Sequence, residues 1–280
     1  MKDGLDLKGS KTFKEALKKG VPVEARGEVW EMIIGNDLRI TTNLYDALLK
    51  RARTSEENIE NDLEFRKNIK VIEEDLHRTY TDLGYFRYGK KLYQPLKNIL
   101  ASFAVFRPDI GYVQGMSYIA GSLLMHTGDE YKAFQCFGNM MNMHLMYNFY
   151  SFDMGKVNIF FHCFMRLLTE RLPRLAKMFV DLGLQCSVFL FEWVIALFSN
   201  ILSLDMSSRL WDSYLFYGDH YLMRVCLAMC TCLEKQVSED NFEQLVIIFK
   251  TVDKYITEDN LFKTIDDTKL TEKQYEQVRR

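Results

Sequence analysis

The sequence predicts an all-α fold, and three observations carry that reading. Apolar residues recur at helical steps along most of the 280 residues; Phe65, Ile69, Ile72 and Leu76, for example, advance by four, three and four. Gly and Pro punctuate these runs where a helix would stop or begin. No stretch sustains a period-two alternation, and no Asn-Gly or Asp-Gly hairpin joins two such runs. The punctuation divides the chain into about fourteen to sixteen helices. They fall into two helical halves, residues 12–155 and 156–280, behind a flexible, polar N-terminal segment, residues 1–11.

In chain order, Gly4-x4-Gly9-Ser10-Lys11 comes near a phosphate-binding loop, but its Lys and Ser stand in the wrong order and no strand precedes it. Thr12 to Lys19 reads as a short helix with Phe13, Ala16 and Leu17 on one face and Gly20 as its stop. Pro22 suits a turn or helix start. Trp30, with Val29, Ile33 and Ile34, belongs to the core, and Arg26, one turn before it, needs a carboxylate that spacing does not identify. A helix over 43–53 is followed by a charged connector, 54–62, and then by the helix that carries Arg78. Residues 81–91 form a loop with Gly84, Gly89 and the cations Arg87, Lys90 and Lys91. Two readings of it stay open: a solvated loop, or a cationic rim that attracts an acidic partner or nucleotide phosphates. Leu92, Leu96, Ile99, Leu100 and Phe103 make an amphipathic helix that ends before Pro108.

The run from Met116 to Leu123 is apolar on most sides and reads as buried. A Phe- and Met-rich helix spans 130–143, and 148–156 reads as the connection between the halves. Further helices are expected over 157–171, 173–182, 187–202, 207–217 and 221–236, with His162 in the core. Ser238, Thr257 and Thr271 stand where N-caps of three last helices would.

The stretch from Ile72 to Gly115 holds the chemistry. Asp75, Arg78 and Thr79 lie at i, i+3 and i+4, so they are neighbours on a helix surface. An aspartate placed so can accept a bond from the guanidinium and hold its planar fork in one orientation. Gln114 stands close to the start of the next helix, where its amide can project towards a ligand with one acceptor and two donors. Spacing alone leaves the plainer alternative open, a surface ion pair and a solvated glutamine. Ser117 lacks the second glycine of a nucleophile elbow, and no nucleophile–base pair suggests a small-molecule hydrolase.

Ile72-x-x-Asp75-x-x-Arg78-Thr79 and Tyr112-x-Gln114-Gly115 resemble the two signature motifs of the TBC domain, a family of activators of Rab GTPases. Gly20-Val21-Pro22 with Arg26-Gly27-Glu28-Val29-Trp30 resembles its entry motif. Phe191-Glu192-Trp193 and Leu210-Trp211-Asp212 resemble its C-terminal half. The resemblance implies one large helical domain of two subdomains. It also implies an arginine finger at Arg78 and a glutamine finger at Gln114, both supplied in trans to the GTPase. Asp75 would then orient Arg78; Tyr112 matches the family at the first position of the second motif; Arg107 would support the loop; Thr79 would serve as a local hydrogen-bonder. The implied partner is a Rab in its GTP state, which brings GTP and Mg²⁺, so the activator needs no cofactor or metal and catalyses no reaction of its own. The expected place is cytoplasmic, on endomembranes, with membrane contact indirect through the lipidated Rab. The competing class is a TBC-like scaffold that binds a GTPase or another protein without catalysis.

Composition excludes other classes. A net charge of −2 and a pI near 6.2 argue against a nucleic-acid binder driven by phosphate contacts. The six cysteines suggest reduced, buried thiols, and Cys226, Cys230 and Cys232 lack a second pair at zinc-site spacing. The most apolar run, 188–202, contains Glu192 and falls short of the ~20 residues a membrane span requires.

Overall fold

The computed structural model describes residues 10–57, 62–237 and 241–279. Among them the chain forms sixteen α-helices, two 3₁₀ turns and no strand. The first half holds α1 (Lys11–Lys19), α2 (Val23–Ile34), α3 (Thr42–Glu57), α4 (Leu63–Arg78), α5 (Tyr93–Phe106), α6 (Met116–Thr127), α7 (Glu130–Met141) and α8 (His144–Tyr150). The second holds α9 (Met154–Arg171), α10 (Pro173–Asp181), α11 (Ser187–Ile195), α12 (Leu204–Tyr217), α13 (Asp219–Leu233), α14 (Phe242–Lys250), α15 (Glu258–Asp267) and α16 (Glu272–Arg279).

Local chemistry sets many of the boundaries. The Ser10 hydroxyl caps α1 by accepting from the Phe13 amide, and the Asp62 carboxylate caps α4 by accepting from Phe65. Thr257 and Thr271 cap the last two helices, as expected. Ser238 lies outside the described residues, and Asn241 caps α14.

Several boundaries differ from the sequence reading, and three have a clear physical reason. Helix α3 continues to Glu57, into the charged connector, because charged residues do not stop a helix. The connection at 148–156 shrinks to three residues, since α8 runs to Tyr150 and the Asp153 side chain caps α9. The expected helix over 187–202 ends at Ile195. Leu197 and Phe198 then both take left-handed φ, 45° and 64°, a rare conformation for branched and aromatic residues. Tertiary bonds hold them: the Phe198 amide donates to the Trp193 carbonyl at 2.7 Å, and the Trp211 indole donates to the Leu197 carbonyl at 3.0 Å.

In the first half, α3, α4, α6 and α7 all pack on α5, which buries nearly its whole circumference. In the second, α9, α12 and α15 surround α13, whose Cys226 and Cys230 are fully buried. Helix α2 touches α6, α7 and α12 and so joins the halves. The unidentified carboxylate for Arg26 is Asp212, far away in the sequence, at 3.0 Å. Asp212 also accepts from the Val21 amide and the Trp30 indole, both at 2.8 Å. Burial pushes the Asp212 carboxyl up, against the pull of Arg26. Trp30 sits between His126 and Trp211, with ring centroids 4.7 and 5.1 Å away. Gly27 lets α2 come this close, because a Cβ there would stand 2.3 Å from the His126 carbonyl oxygen.

Candidate functional site

The functional side chains gather where α4 ends and α6 begins. Asp75 is buried one turn before the end of α4, and Arg78 follows at its last residue. The Asp75 side chain is 2% exposed and that of Arg78 50%, so one end of the pair is fixed and the other presented to solvent. One carboxylate oxygen, Oδ1, accepts from Arg78 Nε at 2.6 Å and also from Arg78 Nη2. This pairing raises the proton affinity of Arg78 further, so the guanidinium stays charged.

The other oxygen of Asp75 reaches the second motif. Oδ2 accepts from the Tyr112 hydroxyl at 2.6 Å and from the Gly115 amide at 3.3 Å. Burial and the adjacent Asp75 charge push the Tyr112 phenol well above its usual value, so it remains a neutral donor. The two bonded residues flank Gln114. Gln114 itself is exposed and makes no side-chain hydrogen bond among the described residues. Gly115, at φ +102°, is the helix N-cap and supplies no side-chain cap. The glutamine amide therefore stands unengaged at the mouth of α6.

Neighbouring bonds fix the loop. The Tyr112 amide donates to the Asn68 side chain at 2.8 Å, which ties the turn back to α4. Arg107 pairs with Asp109 at 2.7 Å, lies over the Tyr147 ring, and its carbonyl accepts from the Gly111 amide at 2.8 Å. Thr79 Oγ1 donates to the Asp75 carbonyl at 2.6 Å and lies 2.7 Å from Ser117 Oγ, which joins the two helices behind the site. The Tyr118 hydroxyl donates to the Arg78 carbonyl at 2.9 Å.

Arg78 and Gln114 line one open groove of about 530 Å³, with Tyr118, Phe152, Phe191, Glu192 and Asn200 among its other walls. Asn200, Tyr118 and Arg78 also line a second groove of about 330 Å³. The sequence reading did not single out Asn200, Phe152 or Glu192 as site residues. Asn200 arrives on the left-handed turn after α11, and its Oδ1 is shielded from solvent without a donor. The turn contains neither Gly nor Pro, and its Ser199-Asn200 pair is a weak signal inside an apolar run. Arg87, Lys90 and Lys91 line neither groove, and the Arg87 guanidinium bonds back to the Thr81 carbonyl at 3.2 Å.

The Rab-GTPase-TBC domain family model matches residues 23–238. Rat and human TBC1 domain family member 14 are each 30% identical to this chain, over 93% and 91% of its length. Drainin of Dictyostelium discoideum is 24% identical over 96% of the chain and 71% of its own length. The chain spans about 39% of the length of the first two relatives. Among solved structures, the Chlamydomonas flagellar RabGAP TBC domain is similar at a TM-score of 0.77 and 26% identity, over 92% of this chain and 85% of that one. The Ypt/Rab-GAP domain of Gyp1p matches at a TM-score of 0.69 over 94% of each chain, and at 18% identity it bears on the fold alone.

Proposed function

This chain belongs to the Rab-GTPase-TBC domain family, and on that premise we propose that it accelerates GTP hydrolysis by a Rab-family GTPase with Arg78 and Gln114 as its two fingers. Intrinsic hydrolysis is slow because charge grows on the phosphate oxygens and the attacking water must be held in line; an arginine supplied in trans raises the rate by roughly 10³–10⁵. Arg78 answers the first need with a permanently charged fork. Gln114 answers the second with an unengaged amide that can bond the water and a γ-phosphate oxygen. The GTPase brings GTP and Mg²⁺ and, through its lipid, the indirect contact with a cytoplasmic membrane face.

One observation carries the reading. A single buried carboxylate holds Arg78 with one oxygen and the Gln114 loop with the other, in one open groove. An ion pair serving stability alone would not require the second motif to converge on it. Arg78→Lys tests the proposal in a single-turnover assay across a panel of GTP-loaded Rabs. The ammonium keeps the charge but lacks the fork, so stimulation should fall by at least about 100-fold, at the lower range of removing a transition-state donor. Near-normal stimulation by folded Arg78→Lys would refute the arginine's role.

A further inference from the structure

Another cleft, sharing no lining residue with the two grooves at Arg78, lies between α1, α12, α13 and α15. Its volume is about 360 Å³, within the roughly 300–1,000 Å³ of small-molecule sites. Five cations line it, Lys11, Lys14, Lys18, Arg209 and Arg224, against two acids, Glu15 and Asp266. That surplus stands out in a chain whose net charge is −2.

The cations are positioned without being fully neutralised. The Arg224 guanidinium is anchored by a backbone carbonyl, with Nε donating to Ile265 at 2.7 Å, while its Asp266 partner stands off at 3.7 Å. The Arg209 guanidinium lies 3.8 Å from the centroid of the Phe262 ring. One of its nitrogens, Nη1, donates to Glu258, but its Nε is shielded from solvent with no acceptor. Lys18 shares Asp266 with Arg224. Lys11 and Lys14 are exposed and have no carboxylate partner among the described residues. Two oriented guanidinium forks and two unpaired ammonium groups around a concave space suit an anion with several phosphate oxygens. Half-buried Tyr217, stacked on the buried Tyr221 ring on the same wall, offers an apolar surface to a ring that carries those phosphates.

We propose that this cleft binds a phosphorylated cyclitol or sugar, either as a free anion or as the headgroup of a lipid. The site would give the domain an anionic ligand of its own, independent of the GTPase reaction. An acidic peptide offers carboxylates along an extended chain and fits a short concave cleft of about 360 Å³ poorly.

Two probes test the proposal and separate the sources. Inositol 1,4,5-trisphosphate is titrated calorimetrically, and phosphatidylcholine vesicles containing phosphatidylinositol 4,5-bisphosphate are compared by sedimentation with charge-matched phosphatidylserine vesicles. The double variant Lys11→Ala, Lys14→Ala touches only exposed side chains, and Arg224→Gln removes one fork. Each should weaken binding by roughly tenfold or more, the effect of losing a charge-assisted hydrogen bond; the lysine double variant should do so with an unchanged melting temperature, while Arg224→Gln also gives up the bond to the Ile265 carbonyl and is read on binding by the folded protein. Binding of both probes supports a lipid headgroup, and binding of the trisphosphate alone supports a free anion. No preference over phosphatidylserine together with no trisphosphate binding would overturn the site. So would indifference to both variants, or equal affinity for a polyglutamate peptide.

Discussion

Asp75→Asn removes one charge and one acceptor from a buried position where four hydrogen bonds meet. Asp75 accepts from Arg78 Nε and Nη2 on one oxygen and from the Tyr112 hydroxyl and the Gly115 amide on the other. An asparagine keeps only one acceptor oxygen. Turned towards Arg78, it points its NH₂ at the Gly115 amide, and that donor loses its acceptor. Turned the other way, it confronts the guanidinium with an NH₂ group. Either orientation leaves a donor unsatisfied, at about 1–3 kcal/mol. A domain with a stability of about 5–15 kcal/mol survives that loss. If Arg78 and Gln114 act as proposed, the rate should fall through both, because the same carboxylate bonds Arg78 and the turn beneath Gln114. A loss of about 1.4–2.7 kcal/mol of transition-state orientation is 10- to 100-fold in rate, still short of the roughly 10³–10⁵ attached to the arginine itself. Single-turnover hydrolysis of a responsive Rab measures the rate, and urea unfolding measures the stability. A folded Asp75→Asn domain with undiminished stimulation would refute the shared-carboxylate account, and an unfolded one would make the pair purely structural.

Two further predictions concern the frame of the site. Asp212→Ala leaves the Arg26 charge buried without its partner and orphans the Val21 amide and the Trp30 indole; it should cost about 3–5 kcal/mol in urea unfolding, and a loss below 1 kcal/mol would count against this account of how the halves are joined. His126 is half-buried, and desolvation with the nearby Arg26 charge lowers it to about 4 in the folded chain from 6.5 when unfolded, so the unfolded state holds more protons in between and stability falls as pH drops from 6.5 to 4, by at most roughly 3 kcal/mol. His126→Gln should flatten that limb of a plot of melting temperature against pH, and an unchanged slope would assign it to other groups.

Much of this was legible along single helices. The periodicity of Phe65, Ile69, Ile72 and Leu76 placed α4, and the i, i+3 spacing of Asp75 and Arg78 placed their contact. Caps such as Thr257 and Thr271 act on amides three residues away, so local sequence exposes them. What stayed hidden depends on distant partners. Arg26 finds Asp212 only because α2 is sandwiched between the halves, and Gly27 is needed there because the α6 carbonyls leave no room. The end of α11 could not be read either. The chain through Leu197 and Phe198 is as apolar as the helix before it, and bonds from Trp211 and to Trp193 decide its path. Asn200 reaches the groove through that turn.

The central claim is that Gln114 does the work usually left to the GTPase's own glutamine. Its most direct test is phosphate release, in a single turnover, from a responsive Rab and from the same Rab with its switch glutamine changed to Leu. If Gln114 positions the water, the wild-type domain stimulates both, and Gln114→Ala loses most stimulation of both while still binding the Rab with a transition-state-like nucleotide. An activator that supplies only arginine fails on the mutant Rab, because nothing then holds the water. Full dependence on the Rab's glutamine, with Gln114→Ala unimpaired, would contradict the claim and leave Arg78 as the sole finger.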